Sequence, residues 1–215
     1  MKEMIEIKNV TKKFGKTTSL NNISIAFEKG DSVALMGANG AGKTTMIRLI
    51  MGYYHPTSGQ VRIKGLDPIK KRVDILQSVS FVPQLPPPIR LSLAELIAYI
   101  CKSSGVEKEL IYHYANEMKL DIKPNLNKSF FKLSGGMKQK FLIAVSLAKE
   151  SDIMIYDEPT ANLDPKARDD FYRLIKEKEE EKLFLFVTHR LEEVKGMVNR
   201  QIYMDLGEIV SDETR

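Results

Sequence analysis

The residues Gly37-Ala38-Asn39-Gly40-Ala41-Gly42-Lys43-Thr44-Thr45 have the types and spacing of a phosphate-binding loop, G-x-x-x-x-G-K-T. Small residues let the backbone curl so that successive N–H groups point at one anion. Lys43 adds a positive charge for terminal phosphates, and the Thr44 hydroxyl is a hard oxygen donor of the kind Mg²⁺ prefers. A second acidic signal stands at Asp157-Glu158, directly after the apolar run Ile153-Met154-Ile155-Tyr156. An acid emerging at the C-terminal end of a buried strand suits a nucleotide site. Asp157 would hold Mg²⁺ through water, and Glu158 could orient and deprotonate an attacking water. A third candidate is Leu133-Ser134-Gly135-Gly136-Met137, where Ser134 can cap a helix and the glycines leave backbone N–H groups open to an anion. Taken alone, that last stretch is a weak signal and reads better as a plain loop and cap.

These groups need elements to hold them. Ser32-Val33-Ala34-Leu35-Met36 reads as a buried strand entering the phosphate loop, and Thr45 to Met51 as the helix leaving it, its N-terminus toward the phosphates. Met4 to Val10 and Ile23 to Phe27 alternate apolar and polar residues, so they read as half-buried strands. Their short connection through a turn at Lys12 to Lys16 predicts antiparallel pairing. Gln60 to Lys64 and Val79 to Val82 are further strands. The Pro-rich Leu85-Pro86-Pro87-Pro88-Ile89 excludes regular helix and central strand. Ser92-Leu93-Ala94-Glu95 is a capping box that opens a helix ending before Gly105, and a second helix is expected over Glu107 to Lys119. Phe141, Leu142, Val145, Leu147 and Ala148 pattern a helix after Gly136; Pro165 starts another; Leu183 to Val187 is a buried strand; and Gln201 to Val210 is a hairpin turning at Asp205-Leu206-Gly207. The run from Lys176 to Lys182 reads as a solvated helix end.

The 215 residues suffice for one large domain, or one with an insert. No apolar run approaches the roughly 20 residues that span a bilayer, and the first residues lack the apolar core of a signal peptide. A cytoplasmic location is therefore expected. Cys101 is the only cysteine, which excludes an intrachain disulfide and a cysteine metal cluster. The net charge of +5 does not choose among a nucleotide, a nucleic acid and an anionic membrane surface.

Together these motifs resemble the nucleotide-binding subunit of ATP-binding cassette (ABC) transporters, over nearly the whole chain and in the family's order. The resemblance makes Gly37 to Thr45 the Walker A loop, with Gly37, Asn39, Gly40, Ala41, Gly42, Lys43, Thr44 and Thr45 around ATP. It makes Leu133 to Met137 the signature, with Ser134, Gly135, Gly136 and Met137 on nucleotide, and Ile153 to Glu158 the Walker B strand ending in the catalytic glutamate. It also implies that Phe14 stacks on adenine, that Gln84 contacts Mg²⁺ and water, that Asp164 belongs to the D-loop near nucleotide, and that His189 is the switch histidine. Read singly, Phe14 is a core or turn phenylalanine, Gln84 a loop residue and His189 a structural histidine; His55 and His113 have no supporting motif. The implied fold is an α/β P-loop NTPase core with a mainly parallel sheet, an N-terminal antiparallel β subdomain and a helical insert. The core would cover residues 1–84 and 136–215, and the insert residues 85–135 leading into the signature.

The implied activity is hydrolysis of ATP with Mg²⁺, powering transport through a separate integral membrane subunit. The chain would sit peripherally on the inner face of the cell membrane as a homodimer or pseudo-symmetric pair closed by ATP, with no nucleic acid expected. Two residues depart from the commonest pattern. Met137 replaces a glutamine, a form resembling that of ABC-2-type exporter subunits and hence a pointer to export; Tyr156 replaces an aliphatic residue and needs a partner for its hydroxyl. An ABC-type ATPase acting on nucleic acid or the ribosome is the alternative, but the chain shows no long heptad arm and no second cassette. A GTPase or small-molecule kinase is disfavoured by the absence of an N-K-x-D motif and by the Ser-Gly-Gly cap.

Overall fold

The computed structural model describes residues 3–178, 182–189 and 191–214. In chain order the elements are β1 (Glu3–Phe14), β2 (Thr17–Glu28), β3 (Ser32–Gly37), α1 (Lys43–Ile50), β4 (Ser58–Ile63), α2 (Arg72–Ser78), β5 (Val79–Val82), α3 (Leu93–Ser104), α4 (Lys108–Glu117), α5 (Gly135–Lys149), β6 (Ile153–Asp157), α6 (Pro165–Lys176), β7 (Leu183–Val187), α7 (Leu191–Val194), β8 (Arg200–Asp205) and β9 (Glu208–Thr214). Two sheets result, a three-stranded one of order β2-β1-β4 and a six-stranded one of order β5-β6-β7-β3-β8-β9. The chain forms two compact units: residues 1–79, 152–155 and 179–215, and residues 80–151 and 156–178.

In the first unit, β1 pairs antiparallel with both β2 and β4. β1 buries Met4, Ile5, Ile7 and Val10: Ile5 and Ile7 share one face, and register irregularities between Glu3 and Ile5 and between Ile7 and Val10 break the strict alternation around them. The strands run further than their apolar pattern: β1 continues through Lys12 and Lys13 to Phe14, so the turn shrinks to Gly15-Lys16. The charged lysines that suggest a turn instead occupy an exposed strand end. β3 pairs in parallel with β7 on one side and β8 on the other, and β8 folds back antiparallel onto β9. Every residue of β7 is buried, as a parallel strand covered on both faces requires. Arg200 ties these strands together. Its guanidinium holds Asp212 through Nε and Nη2 at 2.8 and 2.7 Å, while Nη1 reaches Asp31 at 3.1 Å and the Ala26 carbonyl at 2.8 Å.

The second unit has its own core, centred on Leu93, Ile97, Ile111, Phe130, Phe141 and Ala144. Helix α3 begins at the expected capping box: Ser92 Oγ accepts from the Glu95 N–H at 3.2 Å, and Glu95 Oε2 accepts from the Ser92 N–H at 2.8 Å. The Ser92 hydroxyl, donating to Glu95 Oε2 at 2.7 Å, and then the Ser92 N–H hold the Glu95 carboxyl below its ordinary range. The helix ends on Gly105 at φ +71°. The segment 85–135, read as an insert, lies wholly within this unit and contains α3 and α4. Helix α5 is buried nearly all round, and Gln139, Ser146 and Tyr156 are polar groups carried inside.

At the last turn of α5, burial pushes the Lys149 ammonium down to about 8 from its ordinary value near 10.5. The folded state then prefers neutral lysine. Below pH 8 both states are protonated and the fold bears the full desolvation cost; between 8 and 10.5 the unfolded chain binds more protons, so stability rises with pH. Replacement Lys149→Met is expected to raise stability at pH 7 by about 1–2 kcal/mol, a figure discounted for the part of the side chain in water. That advantage should shrink steadily between pH 8 and 10. Urea unfolding of both proteins across this range measures it, and an advantage independent of pH would contradict the assignment.

Candidate functional site

The phosphate loop leaves β3 at Gly37 and enters α1 at Lys43, the strand–loop–helix context expected. Two of its glycines are enforced by sterics. Gly37 has φ +143°, and a Cβ there would stand 2.2 Å from the Met204 carbonyl oxygen of β8. Gly42, the N-cap of α1, has φ +103°, and its Cβ would meet Leu20 Cδ2 at 2.6 Å and the Ser19 carbonyl at 2.7 Å. Gly40 also has a positive φ, +87°, but open space around it. Lys43 Nζ donates to the carbonyls of Gly37 and Ala38 at 2.6 and 3.0 Å, so the ammonium lies across the loop it belongs to. No acid occupies the first turn of α1, which leaves the positive end of the helix dipole uncompensated. The two threonines separate by environment: Thr45 Oγ1 is 2.8 Å from Ser19 Oγ, whereas Thr44 is exposed.

Two other expected residues belong to the same unit. β3 and β7 run parallel with Leu35 opposite Val187, and the Thr188 N–H donates to the Leu35 carbonyl at 3.2 Å. His189, exposed at the next position, therefore leaves the sheet at the same edge as the phosphate loop. Phe14 closes the β1–β2 hairpin opposite Thr17, two residues from the Ser19 that bonds Thr45. Phe14 is 43% exposed, and its ring meets Tyr54 edge-on at 5.2 Å, with Lys12 Nζ 4.8 Å from the ring centre.

The second unit gathers Gln84, the Ser134 segment, Asp157, Glu158 and Asp164. Gln84 is exposed just after β5. Ser134 is the N-cap of α5, its Oγ accepting from the Met137 N–H at 3.2 Å. Gly136 packs against the turn after Glu158: an added Cβ would lie 3.1 Å from the Asn162 carbonyl. Lys140 reaches Asp164 at 3.4 Å, and Asp164 caps α6 through its Oδ1, which accepts from the Ala167 N–H at 3.0 Å. That N–H, then Lys140, keeps the Asp164 carboxyl below its ordinary range. Glu158 itself sits at φ +47°, an uncommon conformation for a side chain of its size. Tyr156 finds the partner its burial demands, Ser146 Oγ at 3.0 Å, and burial drives its hydroxyl far above the ordinary tyrosine range.

The model of the ABC transporter family matches residues 20–161, which include the phosphate loop, Gln84, the Ser134 segment and Asp157-Glu158. The chain belongs to that family. It is 37% identical over 90% of its length to the energy-coupling factor transporter ATP-binding protein EcfA2 of Clostridium perfringens, covering 72% of that protein. It is 34% identical to the spermidine/putrescine import ATP-binding protein PotA of Nitrosospira multiformis over 96% of its length, yet spans only 58% of that relative. A solved dimeric cassette, MJ0796 bound to ADP and Pi, superposes with a TM-score of 0.84 at 27% identity, covering 98% of each chain. Like its family, this cassette is an ATPase coupled to transport.

Several contacts that hold the cassette's site were not legible in the residue pattern. Ser19, Leu20 and Met204 frame the phosphate loop from β2 and β8, far away in sequence. Tyr54 backs Phe14, and Gln139 bonds the Pro159 carbonyl next to Glu158. Only Gln139 left a trace, as a glutamine within an apolar helical pattern.

The steric record predicts an order among the loop's glycines. Gly37→Ala and Gly42→Ala meet fixed backbone as well as an unfavourable φ, whereas Gly40→Ala meets only the φ, worth about 1 kcal/mol. The first two should lower stability by at least about 2 kcal/mol more than the third and should abolish ATP binding. Thermal melts with calorimetric ATP titration check this; equal losses at all three positions would refute the packing argument.

Proposed function

We propose that this cassette is the ATP-hydrolysing subunit of a transporter whose pathway lies in a separate membrane polypeptide, acting as a two-fold pair closed by ATP from the cytoplasmic side. The observation that carries this is that two helix N-termini are each built for an anion: α1 behind Gly37 to Lys43, and α5 behind Ser134-Gly135-Gly136. In the pair, Ser134 of one copy closes over the phosphate held by Lys43 of the other. The interface is isologous and buries two nucleotides. Among the described residues no helix is long and apolar enough to cross a membrane, and relatives such as EcfA2 and PotA are named as the ATP-binding proteins of transporters, which supports assigning the pathway to another chain. We further read residues 85–135 as a helical insert on a core of 1–84 and 136–215. The exposed Leu85 in its proline-rich entry would border the groove for that partner.

Within the site, Phe14 stacks on the adenine, Lys43 and the loop amides hold the phosphates, Asp164 lies near the nucleotide, and His189 contacts the γ-phosphate. Glu158 is the general base, taking a proton from water as it attacks in line. The donor set suits Mg²⁺. The described residues hold no cluster of three acidic, histidine or cysteine side chains, and Mg²⁺ is commonly held by one or two protein oxygens together with substrate phosphates. Thr44, Gln84 and Asp157 supply such oxygens, and the ion would offset phosphate charge. Export is the proposed direction, on Met137. Import is the second reading, favoured by the names of relatives such as PotA and the zinc import ATP-binding protein ZnuC of Rickettsia conorii.

Glu158→Gln should retain ATP binding while lowering turnover by about 10²–10⁴-fold, the worth of a positioned base. Lys43→Ala should weaken MgATP binding and abolish hydrolysis. By light scattering, the Glu158→Gln protein should dimerise with MgATP and not with MgADP, and adding Ser134→Arg should leave it monomeric with ATP still bound. Dimers that form without nucleotide, or that ignore Ser134→Arg, would sink the sandwich.

A further inference from the structure

Two buried hydrogen bonds bracket the Asp157-Glu158 pair. Before it, the Tyr156 hydroxyl lies 3.0 Å from Ser146 Oγ; after it, Gln139 Nε2 donates to the Pro159 carbonyl at 3.1 Å. Gln139 and Ser146 are seven residues apart on α5 and so share one face. The lengths correspond. Seven helical residues rise about 10.5 Å at about 1.5 Å each, and the three steps from Tyr156 to Pro159 cover at most about 10 Å. The two segments run in opposite directions, the earlier helix residue meeting the later loop residue. The contact continues past the second bond, where Gly136 lies against the Asn162 carbonyl and Lys140 against Asp164.

This arrangement is costly for the fold. Gln139 has no exposed surface. The Pro159 carbonyl can only accept, so the amide NH₂ must face it, and Gln139 Oε1 then finds no partner among the described residues. A buried acceptor left unmet costs about 1–3 kcal/mol. Glu158, between the two bonds, is held at φ +47°. A buried polar ladder that leaves one acceptor unmet, placed around an acid at positive φ, serves geometry.

We infer that Gln139 and the Ser146–Tyr156 pair are positioning residues. They hold Asp157-Glu158 in register with α5, so that seating a phosphate at the Ser134 end of that helix fixes where the Glu158 carboxylate stands. The inference rests on the reading of Glu158 as the base. A displacement near 1 Å in such a group can cost about 10²-fold in rate.

The test is steady-state ATP hydrolysis, with calorimetric ATP affinity, for Tyr156→Phe, Ser146→Ala and Gln139→Met, alone and combined with Glu158→Gln. Each single change should lower kcat by about tenfold, with KM and ATP affinity unchanged, and Ser146→Thr should restore the rate. In the Glu158→Gln background the same changes should cost nothing more, because the group they place is already gone. Tyr156→Phe and Ser146→Ala break one bond from opposite sides, so misfolding of either, seen as a lost cooperative melt, leaves the other to decide. A parent kcat in the folded single variants, a loss carried by KM, or losses that multiply in the Glu158→Gln background would overturn the inference. A Glu158→Gln protein with parent turnover would instead remove the base reading itself.

Discussion

The phosphate loop depends on close approaches that leave no room for a side chain of its own at Gly37 or Gly42. At Gly37 the chain passes so close to the Met204 carbonyl that even a methyl group is excluded, and at Gly42 a methyl group would stand 2.7 Å from the Ser19 carbonyl and 2.6 Å from the Leu20 side chain. Amide groups bind a phosphate only if they converge, and they converge only if the loop is pressed into shape from outside. β8 presses at one end and the start of β2 at the other. The parallel alignment of β3 with β7 and β8 is therefore more than a scaffold. It sets the β8 wall of the mould, and Arg200, bonded to Asp212, Asp31 and the Ala26 carbonyl, fixes β8 relative to the end of β2.

The second unit handles charge differently. Its site elements are joined by side chains: Lys140 to Asp164, Gln139 to Pro159, Ser146 to Tyr156.

Much of this was readable from residue order because the decisive signals are local. The buried run Leu183 to Val187, the box Ser92 to Glu95, Pro165 behind Asp164 and the Gly-Lys-Thr turn each carry their own physical reason within a few residues. What escaped did so for equally physical causes. Helix α2 buries only Ile75 and has no side-chain cap, so it offers neither a periodic face nor a start signal. The ends of β1 and β2 are exposed and polar, and only pairing with each other makes them strands. The walls of the phosphate loop come from residues about 20 and 160 positions away, beyond the reach of any local pattern.

Tyr156 shows how one departure from a pattern can be informative in both directions. In the sequence it was an anomaly, a hydroxyl in a strand expected to be wholly apolar. In the fold the hydroxyl has an address, Ser146, and that address lies on the same face of α5 as Gln139. Had stability alone shaped this region, phenylalanine opposite alanine would serve as well, since removing both partners of a buried hydrogen bond is close to neutral. A polar pair kept in a fully buried place specifies register, because apolar surfaces slide past one another at little cost while a hydrogen bond is satisfied at one offset only. In this cassette the offset so chosen is the one that places the residue after Asp157.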